Sequence, residues 1–140
     1  MKPEWHRAFM KNAFDYAQCS EAVILKVGCA IVKNDSVISC GVNGTPRGYK
    51  TNVCEVHVNG VLDTSPFVIH AEANALDKLC MATESSVGAS MFITHMPCLP
   101  CAMRIRNTMI KEVFYALPFK KLEGVEYLLD HGVPVTQLSI

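Results

Sequence analysis

The chain has 140 residues and half of them are apolar, which is enough to build one hydrophobic core and excludes a disordered protein. Lysine plus arginine and aspartate plus glutamate both number 13, so no basic excess is available to hold nucleic acid. No apolar run approaches the ~20 residues of a membrane span, and the charged N-terminus lacks the apolar stretch of a signal peptide. We therefore expect a single cytoplasmic domain over 1–140 that binds neither nucleic acid nor membrane.

The first half of the chain predicts a helix, a hairpin and a long loop. Over 4–18, apolar residues recur at helical spacing and indicate one buried helix face. Two apolar runs, 27–32 and 37–42, flank the turn-prone sequence Lys-Asn-Asp-Ser and predict a β-hairpin. The stretch 43–66 is rich in Gly, Asn, Thr and Pro, and we interpret it as an irregular, functional loop. The predicted helix face comprises Trp5, Ala8, Phe9, Ala13, Phe14 and Ala17.

The second half alternates helical and strand patterns. Periodic segments predict helices over 70–81, 98–109 and 122–130, and apolar runs predict strands over 89–94, 112–117 and 133–138. The predicted order is therefore α-β-β-α-β-α-β-α-β. A hairpin followed by βαβ units indicates a mixed sheet with helices on both faces, that is, a three-layer α/β/α fold.

Seven cysteines make an odd number, and a reducing compartment disfavours disulfides. We expect these cysteines to be metal ligands or buried thiols. Cys29, Cys40 and Cys80 have apolar surroundings in the sequence and are interpreted as core residues.

Two motifs predict a zinc site. His70 is followed two residues later by Glu72, and Cys98 and Cys101 stand three residues apart at the start of a predicted helix. One histidine and two cysteines supply three zinc ligands and leave the fourth tetrahedral position open for water. Glu72 is then placed to move protons to and from that water as the catalytic acid and base. This H-x-E…P-C-x-x-C spacing is the signature of zinc nucleobase deaminases.

A structural zinc site is the alternative interpretation of the same residues. Such a site closes with four protein ligands, and Cys80 or His95 could provide the fourth. The chain would then be a zinc-stapled binding module without catalysis. Glu72 favours the open, catalytic site, because a structural zinc has no use for an acid beside its histidine ligand.

The sequence resembles the cytidine/deoxycytidylate deaminase superfamily, and most of all its dCMP deaminase branch. The resemblance extends over about 5–119 and is carried by the stretches 26–32, 41–48, 69–76, 91–94 and 97–102. It implies a cytidine-deaminase-like fold with a five-stranded mixed sheet. It also implies zinc-dependent deamination of dCMP to dUMP, a source of thymidylate precursor.

The resemblance assigns substrate contacts to four positions. Asn43 is expected to contact the sugar, the Ala71 backbone N–H the pyrimidine O2, and the Met96 backbone carbonyl the 4-amino group. Members of the branch stack an aromatic residue, usually tyrosine, on the pyrimidine, and Phe119 is the nearest candidate here.

The phosphate and effector sites are also expectations from the resemblance. Ser20 and Lys26 stand where members place residues that face the substrate phosphate. The branch is commonly a homohexamer that dCTP with Mg²⁺ activates and dTTP inhibits. Gly44 and Arg47 lie in the loop that contributes effector contacts, and an arginine fork suits phosphate.

A second, structural zinc is a further hypothesis. Some members hold such an ion with a cysteine before the first strand and Cys or His residues after the Gly-rich loop, and the equivalents here are Cys19, Cys54 and His57. This ion would hold the 43–66 stretch, which has little apolar content.

Other deaminases remain open as alternatives. A tRNA or single-stranded DNA deaminase needs a basic surface with aromatic platforms, and this neutral chain with one tryptophan has neither. Enzymes for free cytidine or guanine, or a variant that also accepts dCTP, stay compatible with the motifs.

Overall fold

The computed structural model describes all 140 residues and contains four helices and seven strands. The elements in chain order are α1 Pro3–Ala17, β1 Gly28–Lys33, β2 Ser36–Val42, β3 Glu55–Val58, β4 Val61–Thr64, α2 Ala71–Leu79, β5 Ser90–His95, α3 Leu99–Asn107, β6 Glu112–Leu117, α4 Glu123–Asp130 and β7 Val135–Gln137. The nine elements predicted from the sequence are all present, and each predicted end lies within two residues of the observed one.

Five strands form one mixed sheet in the order β2-β1-β5-β6-β7. β1 is antiparallel to both β2 and β5, whereas β5, β6 and β7 run parallel. The predicted five-stranded mixed sheet is thus confirmed. Parallel strands bring the chain segments that follow β5 and β6 to the same edge, where ligands of open α/β sheets usually bind.

Helices cover both faces of this sheet. α1 packs on one face, where Phe9, Met10 and Ala13 meet Phe92 and other side chains of the central strands. α2, α3 and α4 contribute to a larger apolar cluster on the opposite face. This arrangement confirms the three-layer α/β/α prediction. None of the helices has the length and apolar character that crossing a bilayer requires.

The β1–β2 turn follows the sequence prediction. Asn34 and Asp35 both have positive φ, 52° and 59°. Positive φ at both central residues defines a type I′ turn, whose twist matches that of the strands it joins, and Asn and Asp tolerate this conformation.

The stretch 43–66 is not irregular throughout, so that part of the prediction was wrong. It contains a separate two-stranded hairpin, in which Glu55 pairs with Thr64 and Val58 with Val61. Asn59 and Gly60 form its turn, both with positive φ. Asn-Gly between alternating apolar residues is a strong hairpin signal, and it was available in the sequence.

Two predictions of burial were also wrong. Trp5 and Ala8 are exposed on α1, and Met10 takes a buried position instead. Cys29 is buried as expected and Cys40 is partly buried, but Cys80 is exposed because it caps the C-terminus of α2. An apolar sequence neighbourhood therefore did not place this thiol in the core.

Candidate active site

The three predicted zinc ligands meet at the N-termini of two helices. His70 is the N-cap residue of α2, Cys98 is the N-cap of α3, and Cys101 lies in the first turn of α3. His70 Nδ1 lies 3.4 Å from Cys98 Sγ and 3.3 Å from Cys101 Sγ. Zn–N and Zn–S bonds of ordinary length in a tetrahedron place such N and S atoms about 3.5 Å apart, so the donor set fits zinc.

Of the two thiols, Cys98 is the one that already favours the thiolate, whereas hydrogen bonding to Cys98 and burial raise the pKa of Cys101. A hydrogen bond from the Cys101 thiol, followed by one from His70, lowers the pKa of Cys98 to about 4. Hydrogen bonding to Cys98 in turn raises the pKa of His70. The partial positive charge at the start of α3 adds to this preference for a thiolate.

Glu72 lies in the first turn of α2 and is 5% exposed. Burial raises the pKa of its carboxyl group, although nearby His70 opposes the shift. Glu72, His70 and Cys98 line the same cavity. A carboxyl group with a raised pKa beside a metal site is suited to accept and return protons near neutral pH.

The alternative of a closed structural site is not supported. Only one group of three or more His, Cys, Asp or Glu side chains has all its ligand atoms within 4.8 Å of one another. This group consists of His70, Cys98 and Cys101. His95 and Cys80 are outside this group, so no fourth protein ligand reaches it. The group therefore supplies three protein ligands, and two of them, His70 and Cys98, line the cavity.

Two connections fix the position of His70. Gly44 and Ile69 form an isolated antiparallel bridge, with N···O distances of 3.1 and 2.8 Å. The second connection comes from a side chain: Asn74 Nδ2 donates to the Val42 carbonyl at 2.7 Å and lies 3.5 Å from the Ile69 carbonyl. Asn74 thus ties the end of β2 to the residue before His70. This positioning role was missed, although Asn74 belongs to the stretch 69–76 that carries the family resemblance.

The cavity collects most of the predicted substrate contacts. Asn43, Ala71, Met96 and Phe119 all line it. Cys54, predicted as a ligand of a second zinc, lies on its wall as well. Ser20, Lys26, Gly44 and Arg47 do not line this cavity, so the structure does not place the predicted phosphate and effector residues at it.

Asn43 and its neighbour Ser20 hold the segment that forms one side of the cavity. Asn43 Oδ1 accepts the Val27 N–H at 2.9 Å, and Asn43 Nδ2 donates to the Leu25 carbonyl at 2.7 Å. Ser20 Oγ is 2.8 Å from both the backbone and the side-chain oxygen of Asn43. Lys26 Nζ donates to the Ser20 carbonyl. The polar groups of Ser20, Lys26 and Asn43 therefore form hydrogen bonds within the protein.

Glu55 completes this attachment and was missed by the sequence reasoning. Its side chain is 8% exposed, and Oε2 accepts the N–H groups of Val23 at 2.8 Å and Ile24 at 3.1 Å. Glu55 also lines the cavity. We call residues 20–27 the wall segment; it is held by Asn43 from the end of β2 and by Glu55 from the start of β3.

The hypothesis of a second zinc finds no support. Cys19, Cys54 and His57 do not form a group with ligand atoms close enough to share an ion. Cys54 is buried and donates weakly to the Asn52 carbonyl, whereas Cys19 and His57 are exposed.

Comparison with known proteins identifies the family. The model of the cytidine and deoxycytidylate deaminase zinc-binding region matches residues 3–117. The chain therefore belongs to the cytidine and deoxycytidylate deaminase family, and its His-Cys-Cys group supports zinc as the metal.

Several similar proteins are deoxycytidylate deaminases. The crystal structure of dCMP deaminase from the cyanophage S-TIM5 in complex with dCMP and dUMP is 41% identical, with a TM-score of 0.94 and 99% of each chain covered. The deoxycytidylate deaminase of Mycobacterium phage D29 is 32% identical over 81% of this chain and 95% of its own. That of Saccharomyces cerevisiae is 36% identical over 99% of this chain. The chain spans less than half the length of this yeast relative, 46%.

Metal analysis tests the ligand set. We expect about one zinc per subunit, because only one group of ligand atoms converges. Cys98→Ala should lose most of this zinc, since it removes a thiolate ligand, whereas Cys54→Ser should retain it. Elemental analysis of the purified proteins measures both. Two zinc ions per subunit, with one lost in Cys54→Ser, would contradict this assignment.

Hydrogen exchange tests the attachment by Glu55. In Glu55→Ala the amides of Val23 and Ile24 should exchange about tenfold faster or more, because a hydrogen bond to a charged group contributes roughly 1.5–3 kcal/mol. Glu55→Gln keeps an acceptor oxygen and should lose less protection. The Val27 N–H, which donates a hydrogen bond to Asn43 Oδ1, is the internal control. Equal acceleration at Val27 would show general loosening rather than loss of the Glu55 contacts.

Proposed function

We propose that this chain catalyses the hydrolytic deamination of dCMP to dUMP and ammonia. The observation that carries the proposal is the buried Glu72 carboxyl group in one cavity with an open His-Cys-Cys ligand set. The similarity to the cyanophage enzyme, which extends over 99% of both chains, supports dCMP as the substrate and dUMP as the product.

His70, Cys98 and Cys101 hold Zn²⁺, which when bound supplies a Lewis acid that lowers the pKa of water. Glu72 takes a proton from the attacking water and delivers it to the ring nitrogen N3 of the pyrimidine. Water oxygen adds at C4, and Glu72 then moves the proton of that new hydroxyl to the 4-amino group, so that the C4–N bond breaks, ammonia leaves and the C4 carbonyl forms. One water is consumed, and the amino-bearing carbon becomes a carbonyl.

The backbone around the ligands can orient the pyrimidine. The Ala71 N–H is among the first amides of α2, which have no acceptor within the helix, and it can donate to the pyrimidine O2. The Met96 N–H donates to the Leu117 carbonyl at 3.0 Å, and this contact holds the residue whose own carbonyl can accept from the 4-amino group. Phe119 lines the cavity, is 43% exposed and can stack on the ring.

Asn43 has a dual role in this proposal. Its Oδ1 and one Nδ2 hydrogen are used to hold the wall segment, and the second Nδ2 hydrogen remains to donate to a sugar hydroxyl. Because one side chain shapes the cavity and contacts the sugar, its substitution would disturb both.

Regulation by nucleotides is a finer proposal that rests on Gly44 and Arg47. Gly44 pairs with Ile69, the residue before His70, so a ligand such as dTTP, or dCTP with Mg²⁺, at this loop could shift the metal ligand. The homohexamer and the cytoplasmic location stay predictions.

Deoxycytidine is a second candidate substrate, because no lysine or arginine lines the cavity to neutralise a phosphate. An ammonia-release assay with dCMP, dCTP, CMP, cytidine and deoxycytidine, each with and without the two effectors, separates the candidates. We expect dCMP to be the preferred substrate. Equal rates on phosphorylated and free compounds would contradict a nucleotide substrate.

Replacing the proton carrier tests the mechanism. Glu72→Gln should reduce ammonia release from dCMP by about 10²–10⁴-fold, the usual contribution of a positioned acid–base group. Zinc content should stay unchanged, because Glu72 is not among the metal ligands. Glu84→Gln, an exposed substitution of the same kind, is the matched control. A Glu72→Gln protein that still deaminates dCMP at the normal rate would refute the role of Glu72.

A further inference from the structure

The end of β5 carries a pair of side chains that the proposed mechanism does not use. Thr94 is completely buried, and its Oγ1 lies 2.8 Å from His95 Nδ1. The same oxygen accepts the Gly28 N–H at 3.1 Å. His95 is half-buried and lines the active-site cavity. The Thr94–His95 pair thus connects the start of β1 with the substrate site.

The hydrogen bonds of Thr94 determine which nitrogen of His95 carries a proton. The Gly28 amide can only donate, so Thr94 Oγ1 accepts from it. The hydroxyl proton of a buried threonine needs an acceptor, and His95 Nδ1 is the acceptor that lies within reach. His95 Nδ1 is therefore unprotonated, and the ring carries its hydrogen on Nε2.

Burial favours the neutral form of the His95 ring. Burial lowers its pKa below the ordinary value for histidine. A neutral imidazole with Nδ1 occupied offers one N–H donor on Nε2, and it has no acceptor left for the substrate.

Few side chains around the cavity can donate a hydrogen bond to a substrate. Glu55 and Glu72 offer oxygens, and His70 belongs to the metal site. Lys26 donates to the Ser20 carbonyl and does not line the cavity. The nucleotide's most demanding acceptor is its phosphate, which carries three exposed oxygens and negative charge. Asn43 keeps one Nδ2 hydrogen, assigned above to the sugar, and the exposed Thr64 also brings a hydroxyl to the cavity. His95 is the one imidazole of the cavity wall outside the metal site, and its Nε2–H is a donor directed by the Thr94 contact that can serve the phosphate.

We propose that the Nε2–H of His95 donates a hydrogen bond to the 5′-phosphate of the nucleotide and makes the site prefer dCMP to deoxycytidine. This inference rests on the proposed function, because it assumes that a cytosine deoxynucleotide occupies the cavity. His95 is then a specificity-determining residue, and Thr94 is a positioning residue that acts through it.

Binding to an inactive enzyme tests the proposal without turnover. Calorimetry on zinc-loaded Glu72→Gln protein gives the dissociation constants of dCMP and deoxycytidine, with and without His95→Phe. We expect His95→Phe to weaken dCMP about 10- to 100-fold, as for the loss of a hydrogen bond to a charged group, and to change deoxycytidine less than about threefold. His131→Phe, at the exposed C-cap of α4, is the matched control.

Equal weakening of both ligands by His95→Phe, or no weakening of either, would overturn the proposal. Since His95→Phe could perturb folding, ¹⁵N NMR of the zinc-loaded Glu72→Gln protein provides a second measurement, with His95 assigned from the spectrum of His95→Gln. We expect the Nε2–H tautomer in the free protein, and a shift of its Nε2 signal on adding dCMP but not deoxycytidine. An Nδ1–H tautomer, or the same shift with both ligands, would also overturn it. Ammonia release by the wild-type protein tests the proposed function separately.

Discussion

The close approach of two helix N-termini, those of α2 and α3, is the constraint on which the rest of the structure depends. It brings His70 Nδ1 to within 3.4 Å of two thiol sulfurs. Glycine allows both helix starts to be packed tightly. A Cβ on Gly41 would lie 2.3 Å from the Ala71 carbonyl, and one on Gly124 would lie 2.2 Å from the Pro97 carbonyl. Strand β2 and helix α4 therefore press directly on the two ligand-bearing turns, so the spacing of the metal ligands is set by backbone packing.

Burial and hydrogen bonding set the pKa values of the acidic groups at these two helix N-termini. The chain has no net charge, yet it concentrates two thiols and a carboxyl group at the ends of two helix dipoles. Burial raises the pKa of Glu72, while the hydrogen bond from Cys101 lowers the pKa of Cys98. The pKa values of these two neighbouring acids are thereby shifted in opposite directions. One is prepared to bind a cation as an anion and the other to carry a proton, which is the division of labour that hydrolytic deamination requires.

The sequence predicted the elements and the metal ligands because both depend on short-range spacing. His70 precedes a helical pattern, and Cys98 and Cys101 share the first turn of another helix. The second zinc stays without support for a geometric reason. Cys54 is buried just before β3, whereas Cys19 and His57 are exposed, so their ligand atoms do not converge. Glu55 was missed because its partners, Val23 and Ile24, are about thirty positions away, and no local pattern records a carboxylate that accepts distant backbone N–H groups.

The β3–β4 hairpin depends on the same contacts that shape the substrate cavity. Two strands with exposed side chains are marginally stable alone, and this hairpin is not part of the main sheet. The Glu55 carboxylate attaches it to the wall segment, and the Ser65 N–H, which donates to the Cys54 carbonyl at 2.7 Å, extends the pairing of its two arms by one position. Because Cys54, Glu55 and Thr64 also line the cavity, hairpin and cavity order together. A nucleotide that binds the ordered cavity therefore also stabilises the hairpin, by simple mass action.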